Sequence, residues 1–174
     1  VLFGGSAGDY NGETWEWDGC VWTLRSTTGP TPRTRHSMAY DSARGVTVLF
    51  GGIDAEGDLL GDTWEWDGQE WTQREVQGPP PSSIHVMAYD AFRHVTVLLT
   101  LAGGKRQTWL WDGESWTLAV EAGPSRWAAM VYDSDRQVCI TYGGDFDQSG
   151  QETWQWDGES WTKLNTPVKP PPAV

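Results

Sequence analysis

Asp62-Thr63-Trp64-Glu65-Trp66-Asp67-Gly68-Gln69-Glu70-Trp71-Thr72 is written four times in this chain, with near copies at Glu13–Thr23, Gln107–Thr117 and Glu152–Thr162. Within each copy the bulky and polar residues alternate with the period of a β-strand. Asp67-Gly68 is the pair that suits a tight hairpin turn with positive φ. Each copy therefore reads as a hairpin. A two-residue Asp-Gly loop would set Trp64 opposite Trp71, and a four-residue loop would set Trp66 opposite Trp71; the sequence alone leaves both open. In either case the repeated tryptophans are expected to be core, Trp64 and Trp71 among them.

Working outward, each hairpin is preceded by two more short apolar runs. The first full unit reads His36–Asp41, Val46–Phe50 closed by Gly51-Gly52, Thr63–Trp66 and Glu70–Arg74. The next reads His85–Asp90, Val95–Leu99, Thr108–Trp111 and Ser115–Ala119, and the last Ala128–Asp133, Val138–Tyr142, Thr153–Trp156 and Ser160–Leu164. We call these strands a to d. Trp15, Trp64, Trp109 and Trp154 are spaced 49, 45 and 45 residues apart, a period that points to a propeller with four strands per repeat. Met38, Met87 and Met130 share one repeat position and none is an initiator, so the sequence reads as processed or excised.

Among 174 residues there are 13 Trp, 21 Gly and 10 Pro, with glycine and proline falling between the apolar runs as turn punctuation. No apolar run reaches the roughly 18 residues of a membrane-spanning helix, and no signal-peptide pattern occurs. The reading is of a soluble chain whose compartment stays open, an extracellular one being favoured. A net charge of −12 argues against nucleic acid or an anionic membrane as partner. Cys20 and Cys139 occupy non-equivalent repeat positions and read as free thiols.

An apolar strand ending in Gly-Gly (Phe3-Gly4-Gly5, Phe50-Gly51-Gly52, Tyr142-Gly143-Gly144), a tryptophan about ten residues on and a second seven later resemble the kelch repeat, the blade of galactose-oxidase-like β-propellers. The resemblance spans residues 1 to about 165. It implies an all-β, kelch-type propeller segment of three complete four-stranded blades plus a first blade lacking its innermost strand. The blades would be 1–28 (partial), 33–77, 82–122 and 125–166, followed by a proline-rich extended tail at 167–174. It further implies that strand a is innermost, strand d outermost, and that the b–c and d–a loops share one mouth. The third unit departs from the pattern: Thr100-Leu101 stands in place of the glycine doublet, and Gly103-Gly104 follow late.

Function is sought at that mouth, because loops on a rigid scaffold carry recognition. The candidate residues are Arg33, Arg35, His36 and His85 on the d–a side; Asp54, Glu56, Asp58, Lys105, Arg106, Asp145 and Asp147 on the b–c side; and Trp127, the one tryptophan outside the repeat. Lys105 and Arg106 stand where other b–c loops carry acids. Asp145, Asp147 and Ser149 match the opening of a calcium loop, but its twelfth position is Trp156 rather than a bidentate glutamate, so solvated acidic loops are the stronger reading. His36 and His85 read better as structural histidines than as metal ligands. In galactose oxidase copper is bound by histidine and tyrosine beside a cysteine-linked tyrosine; no such set can be assembled here, so that resemblance stops at the scaffold.

The expected function is non-catalytic recognition of a protein partner through the b–c and d–a loops, without a cofactor. The alternatives are a glycan-binding propeller or part of a larger propeller enzyme. Because strand a is missing from the first blade, the chain is also expected to be a piece of a longer propeller or to self-associate through that open blade.

Overall fold

The computed structural model describes residues 1–124, 128–143 and 152–166. They form strands only, gathered into four antiparallel sheets. The first sheet has three strands, β1 (Leu2–Phe3), β2 (Thr14–Trp17) and β3 (Trp22–Ser26). The second has β4 (Ser37–Asp41), β5 (Val46–Ile53), β6 (Leu59–Trp66) and β7 (Trp71–Arg74). The third has β8 (His85–Asp90), β9 (Val95–Ala102), β10 (Lys105–Trp111) and β11 (Trp116–Val120). The fourth has β12 (Ala128–Asp133), β13 (Val138–Gly143), β14 (Glu152–Trp156) and β15 (Trp161–Leu164). Each sheet keeps sequence order, the meander of a propeller blade, and the fold is an all-β propeller with one partial blade.

The hairpin that joins the last two strands of each blade uses the four-residue loop. Trp66 lies opposite Trp71, as do Trp17 and Trp22, Trp111 and Trp116, and Trp156 and Trp161. Asp67 decides the register: its Oδ1 accepts from the backbone N–H groups of Gln69 and Glu70 at 2.8 and 2.9 Å, which holds both inside the loop, while Gly68 takes φ +96°. Asp18, Asp112 and Asp157 make the same pair of bonds. This moves the buried position. Trp66, Trp111 and Trp156 are 0–1 % exposed, whereas Trp64 and Trp71, expected in the core, are only half-buried.

Blades stack by a repeated side-chain code. Successive residues of a strand point to opposite faces, so Thr14 and Glu16 face the next blade while Trp64 and Trp66 face the previous one. Trp66 Nε1 donates to Glu16 Oε1 (2.9 Å) and Trp71 Nε1 to Thr14 Oγ1 (2.8 Å). One blade on, Trp111 Nε1 donates to Glu65 Oε1 (2.9 Å) and Trp116 Nε1 to Thr63 Oγ1 (2.8 Å). Around these bonds lies apolar packing: Ala39, Val48 and Phe50 of the second blade against Met87, Leu98, Trp111 and Trp116 of the third. Ala88 and Val97 of the third then pack against Cys139 and Trp156 of the fourth. At about 25 cal/mol per Å² of apolar area, burying such aromatic surface is what drives the stacking. The hydrogen bonds remove the penalty of burying each indole N–H.

The glycine doublet docks one blade on the next. Strand β5 shifts register between Phe50 and Gly52, Gly51 sits at φ +64°, and Gly52 N–H donates to the Ser82 carbonyl at 3.0 Å. A Cβ on Gly51 would lie 2.9 Å from both His85 Cε1 and the Ser82 oxygen, closer than side chains allow. In the third blade Thr100-Leu101 carry the ladder on without a shift to Ala102 opposite Lys105, and Gly103-Gly104, at φ +58° and +78°, close a two-residue hairpin.

Candidate functional site

The d–a segment and the end of strand b do meet at one mouth, since Thr34 and Ile53 exchange backbone hydrogen bonds of 3.0 and 2.9 Å. Several of the residues gathered there are structural. Arg33 is fully buried. It grips Asp62 with both terminal nitrogens, at 2.5 and 2.8 Å, and also donates to the carbonyls of Gly51 (3.0 Å) and Thr31 (2.9 Å). A guanidinium withdrawn from water requires such saturation, so its charge is not presented to a partner, which corrects its place among the mouth residues. Burial alone would raise the Asp62 carboxyl, but the bonds from Arg33 and Trp64 outweigh it and hold Asp62 below its ordinary range.

His36 and His85 sit at the inner end of the same mouth and bind the preceding blade. His85 Nε2 donates to the Phe50 carbonyl at 3.0 Å, its ring edge-on to Phe50; His36 stands in the same relation to Phe3 and its carbonyl. Burial lowers both to about 4, helped at His36 by the neighbouring Arg33 charge, so both are neutral at pH 7. Each Nδ1 is buried without a hydrogen-bond partner. Among the described residues no group of three or more His, Cys, Asp or Glu is placed to hold a metal ion.

Around the rim, Arg35 is exposed at φ +56°. The Asp54 loop closes on itself, Asp58 N–H donating to Asp54 Oδ1 at 2.8 Å, and leaves Glu56 and Asp58 exposed. Trp127, Asp145, Asp147 and Ser149 lie outside the described residues. Cys20 is exposed and free; Cys139 is buried and free, its thiol pushed up to about 12 by burial.

One concave feature among the described residues lies on the third blade, where the pattern departs. A cleft of about 630 Å³ is lined by Leu101, Gly104, Arg106, Glu121, Ala122 and Gly123. Lys105 closes its edge by an ion pair to Glu121 at 3.0 Å, both side chains at least half exposed. The tight Gly103-Gly104 hairpin stands where the second blade carries a long acidic loop, and Gly104 lines the cleft. Lys105 and Arg106 were legible in the sequence as basic residues in an acidic position. Glu121 was not singled out; the signal was there, an acid near the end of strand d with a lysine in the b–c turn to pair it.

No known family matches the sequence, and no curated protein does. Among solved structures the chain is similar to one described as "Structure of YjhT", with a TM-score of 0.65 at 17% sequence identity over 86% of this chain. The likeness is one of fold. This chain spans 57% of the length of that one. No helix among the described residues is long and apolar enough to cross a membrane.

Proposed function

We propose that this chain is a non-catalytic recognition module of kelch type, which binds a protein partner through the b–c and d–a segments of its mouth, centred on the third blade. The kelch-type reading is supported by the glycine doublets, whose backbone seats the histidine and the d–a carbonyl of the following blade. The observation that carries the binding reading is the cleft beside Lys105, Arg106 and Glu121. Its volume lies within the roughly 300–1,000 Å³ of ligand pockets. Its charged rim contributes little to stability, because exposed ion pairs are worth about 0–1 kcal/mol. Lys105 and Glu121 can therefore exchange partners at small cost, whereas Arg33, His36 and His85 are committed to the fold.

Selection of a random displayed peptide library on the chain, followed by binding to the variants Lys105→Glu and Glu121→Lys, tests this reading. The selected peptides should lose on the order of tenfold in affinity with either variant, and should weaken as salt rises, since exposed charges are screened within about 8 Å at physiological ionic strength. Peptides whose binding ignores both variants and salt would move the site elsewhere.

A further inference from the structure

Each blade fixes the first tryptophan of its strand c by an acceptor two residues earlier. Trp15, Trp64 and Trp154 donate to the carboxylates of Glu13, Asp62 and Glu152, at 2.8, 2.6 and 2.9 Å. The third blade uses an amide instead, Trp109 Nε1 donating to Gln107 Oε1 at 3.1 Å. An indole N–H only donates, so Oε1 faces Trp109 and the NH2 of the amide is turned the other way. Gln107 is 9 % exposed, and Val120 lies opposite Thr108, which brings Glu121 beside Gln107. There the amide donates to the Glu121 carboxylate; Lys105 first, and Gln107 after it, hold that carboxyl below its ordinary range. A carboxylate at position 107, as in the other blades, could not donate. The amide thus keeps the tryptophan bond and seats an acid at the edge of the cleft.

The two ends of the Lys105–Glu121 pair are not held alike. Among the described residues the Lys105 ammonium bonds only to Glu121, at 3.0 and 3.2 Å, and its side chain is 64 % exposed. An ammonium on a flexible four-carbon stem leaves more readily than a carboxylate seated by a buried amide. We propose that Lys105 occupies Glu121 in place of a partner's basic side chain, and that the partner segment carries a lysine or arginine for Glu121 together with an aspartate or glutamate for the ammonium that Lys105 then frees. This rests on the binding reading of the third-blade cleft and adds the chemistry of the partner. The acid is required because two cations beside one carboxylate repel, and a second carboxylate offsets the charge of the one displaced. A wholly acidic segment would in addition face a chain of net charge −12.

Peptides selected from the random displayed library should each carry a lysine or arginine within a few residues of an aspartate or glutamate. Changing the acid of such a peptide to its amide should weaken binding to the wild-type chain on the order of tenfold. On Lys105→Met, which vacates Glu121 and adds no charge, the same change should cost nothing, and the amide form should bind more tightly than it does to the wild type. Position 105 is exposed, and cooperative urea unfolding checks that the variant folds. An acid-to-amide cost that is equal on the two chains would overturn the inference. So would selected peptides that depend on Lys105 and Glu121 but carry charge of one sign; the recognition reading would then stand without it. No selected peptide, or binding indifferent to both side chains, would overturn the recognition reading and this inference with it.

Discussion

The junction between the second and third blades and the junction between the third and fourth place the same indole at the same register and treat it differently. In the first, Trp111 Nε1 donates to Glu65, a carboxylate 3 % exposed that Arg44 and Arg74 also bind, at 2.7 and 2.8 Å. Burial would raise the Glu65 carboxyl, but the bonds from Arg44, Trp111 and Arg74 hold it below its ordinary range. Tyr89 reaches across to Asp41, and burial together with that carboxylate pushes its hydroxyl up to about 12. In the second junction Leu110 stands where Glu65 would be, and Trp156 Nε1, fully buried, has no partner. Arg93 turns to the Gln137 carbonyl at 2.9 Å instead. The bond from Trp161 to Thr108, at 2.8 Å, is retained. Blades thus stack on apolar area and one indole–hydroxyl bond. The carboxylate is an addition that avoids a penalty of about 1–3 kcal/mol for the buried N–H.

The sharpest way to break this contrast is to write the back junction into the front one. Glu65→Leu strands Trp111 Nε1 and leaves Arg44 and Arg74 facing an apolar side chain; the expected loss is about 3–5 kcal/mol in urea unfolding. A loss below about 1 kcal/mol would show that the carboxylate does not matter even where it is fully engaged.

Acid should separate the junctions next. His36 and His85 hold the first two junctions, and the last has Ala128 at that position. Both histidines are lowered from 6.5 to about 4, so between those values the unfolded chain binds protons that the folded chain refuses. Stability is therefore unaffected above pH 6.5 and falls as pH drops toward 4, with a slope approaching about 1.4 kcal/mol per pH unit for each histidine. Below that range the depressed carboxyls of Asp41, Asp62 and Glu65 add further loss. Amide exchange at pH 5 should open β4, β5 and β8 before β12 and β13. His85→Gln should flatten the slope, and an unchanged slope would detach it from these histidines.

Smaller effects test whether the blades are otherwise alike. Asp67→Ala and Asp157→Ala each remove two bonds to backbone N–H groups in the same turn. Each should lower the melting midpoint by a few degrees, and unequal shifts would mean that the turns feel their junctions. Last, Leu110→Gln offers Trp156 an acceptor at the cost of some apolar contact, for a net gain of roughly 0.5 kcal/mol. The decisive readout is the Trp156 indole proton, which should move downfield and exchange more slowly.

How far the sequence could be read follows from the range of the interactions involved. Alternation, the Asp-Gly turns and the 45-residue period are local or repeated. They determined the strands, the four sheets and which face each tryptophan presents. They did not determine the hairpin register, because both loop lengths keep the same parity; the Asp67 carboxylate settles it by holding the Gln69 and Glu70 N–H groups inside the loop. Lys105 and Arg106 were legible at the site because they break a pattern. The burial of Arg33 was not, because its partner Asp62 lies 29 residues on and only the folded blade brings them together. The same holds for the orphaned Trp156 N–H. That is a statement about what the neighbouring blade offers, and a neighbour's face exists only once the chain has stacked.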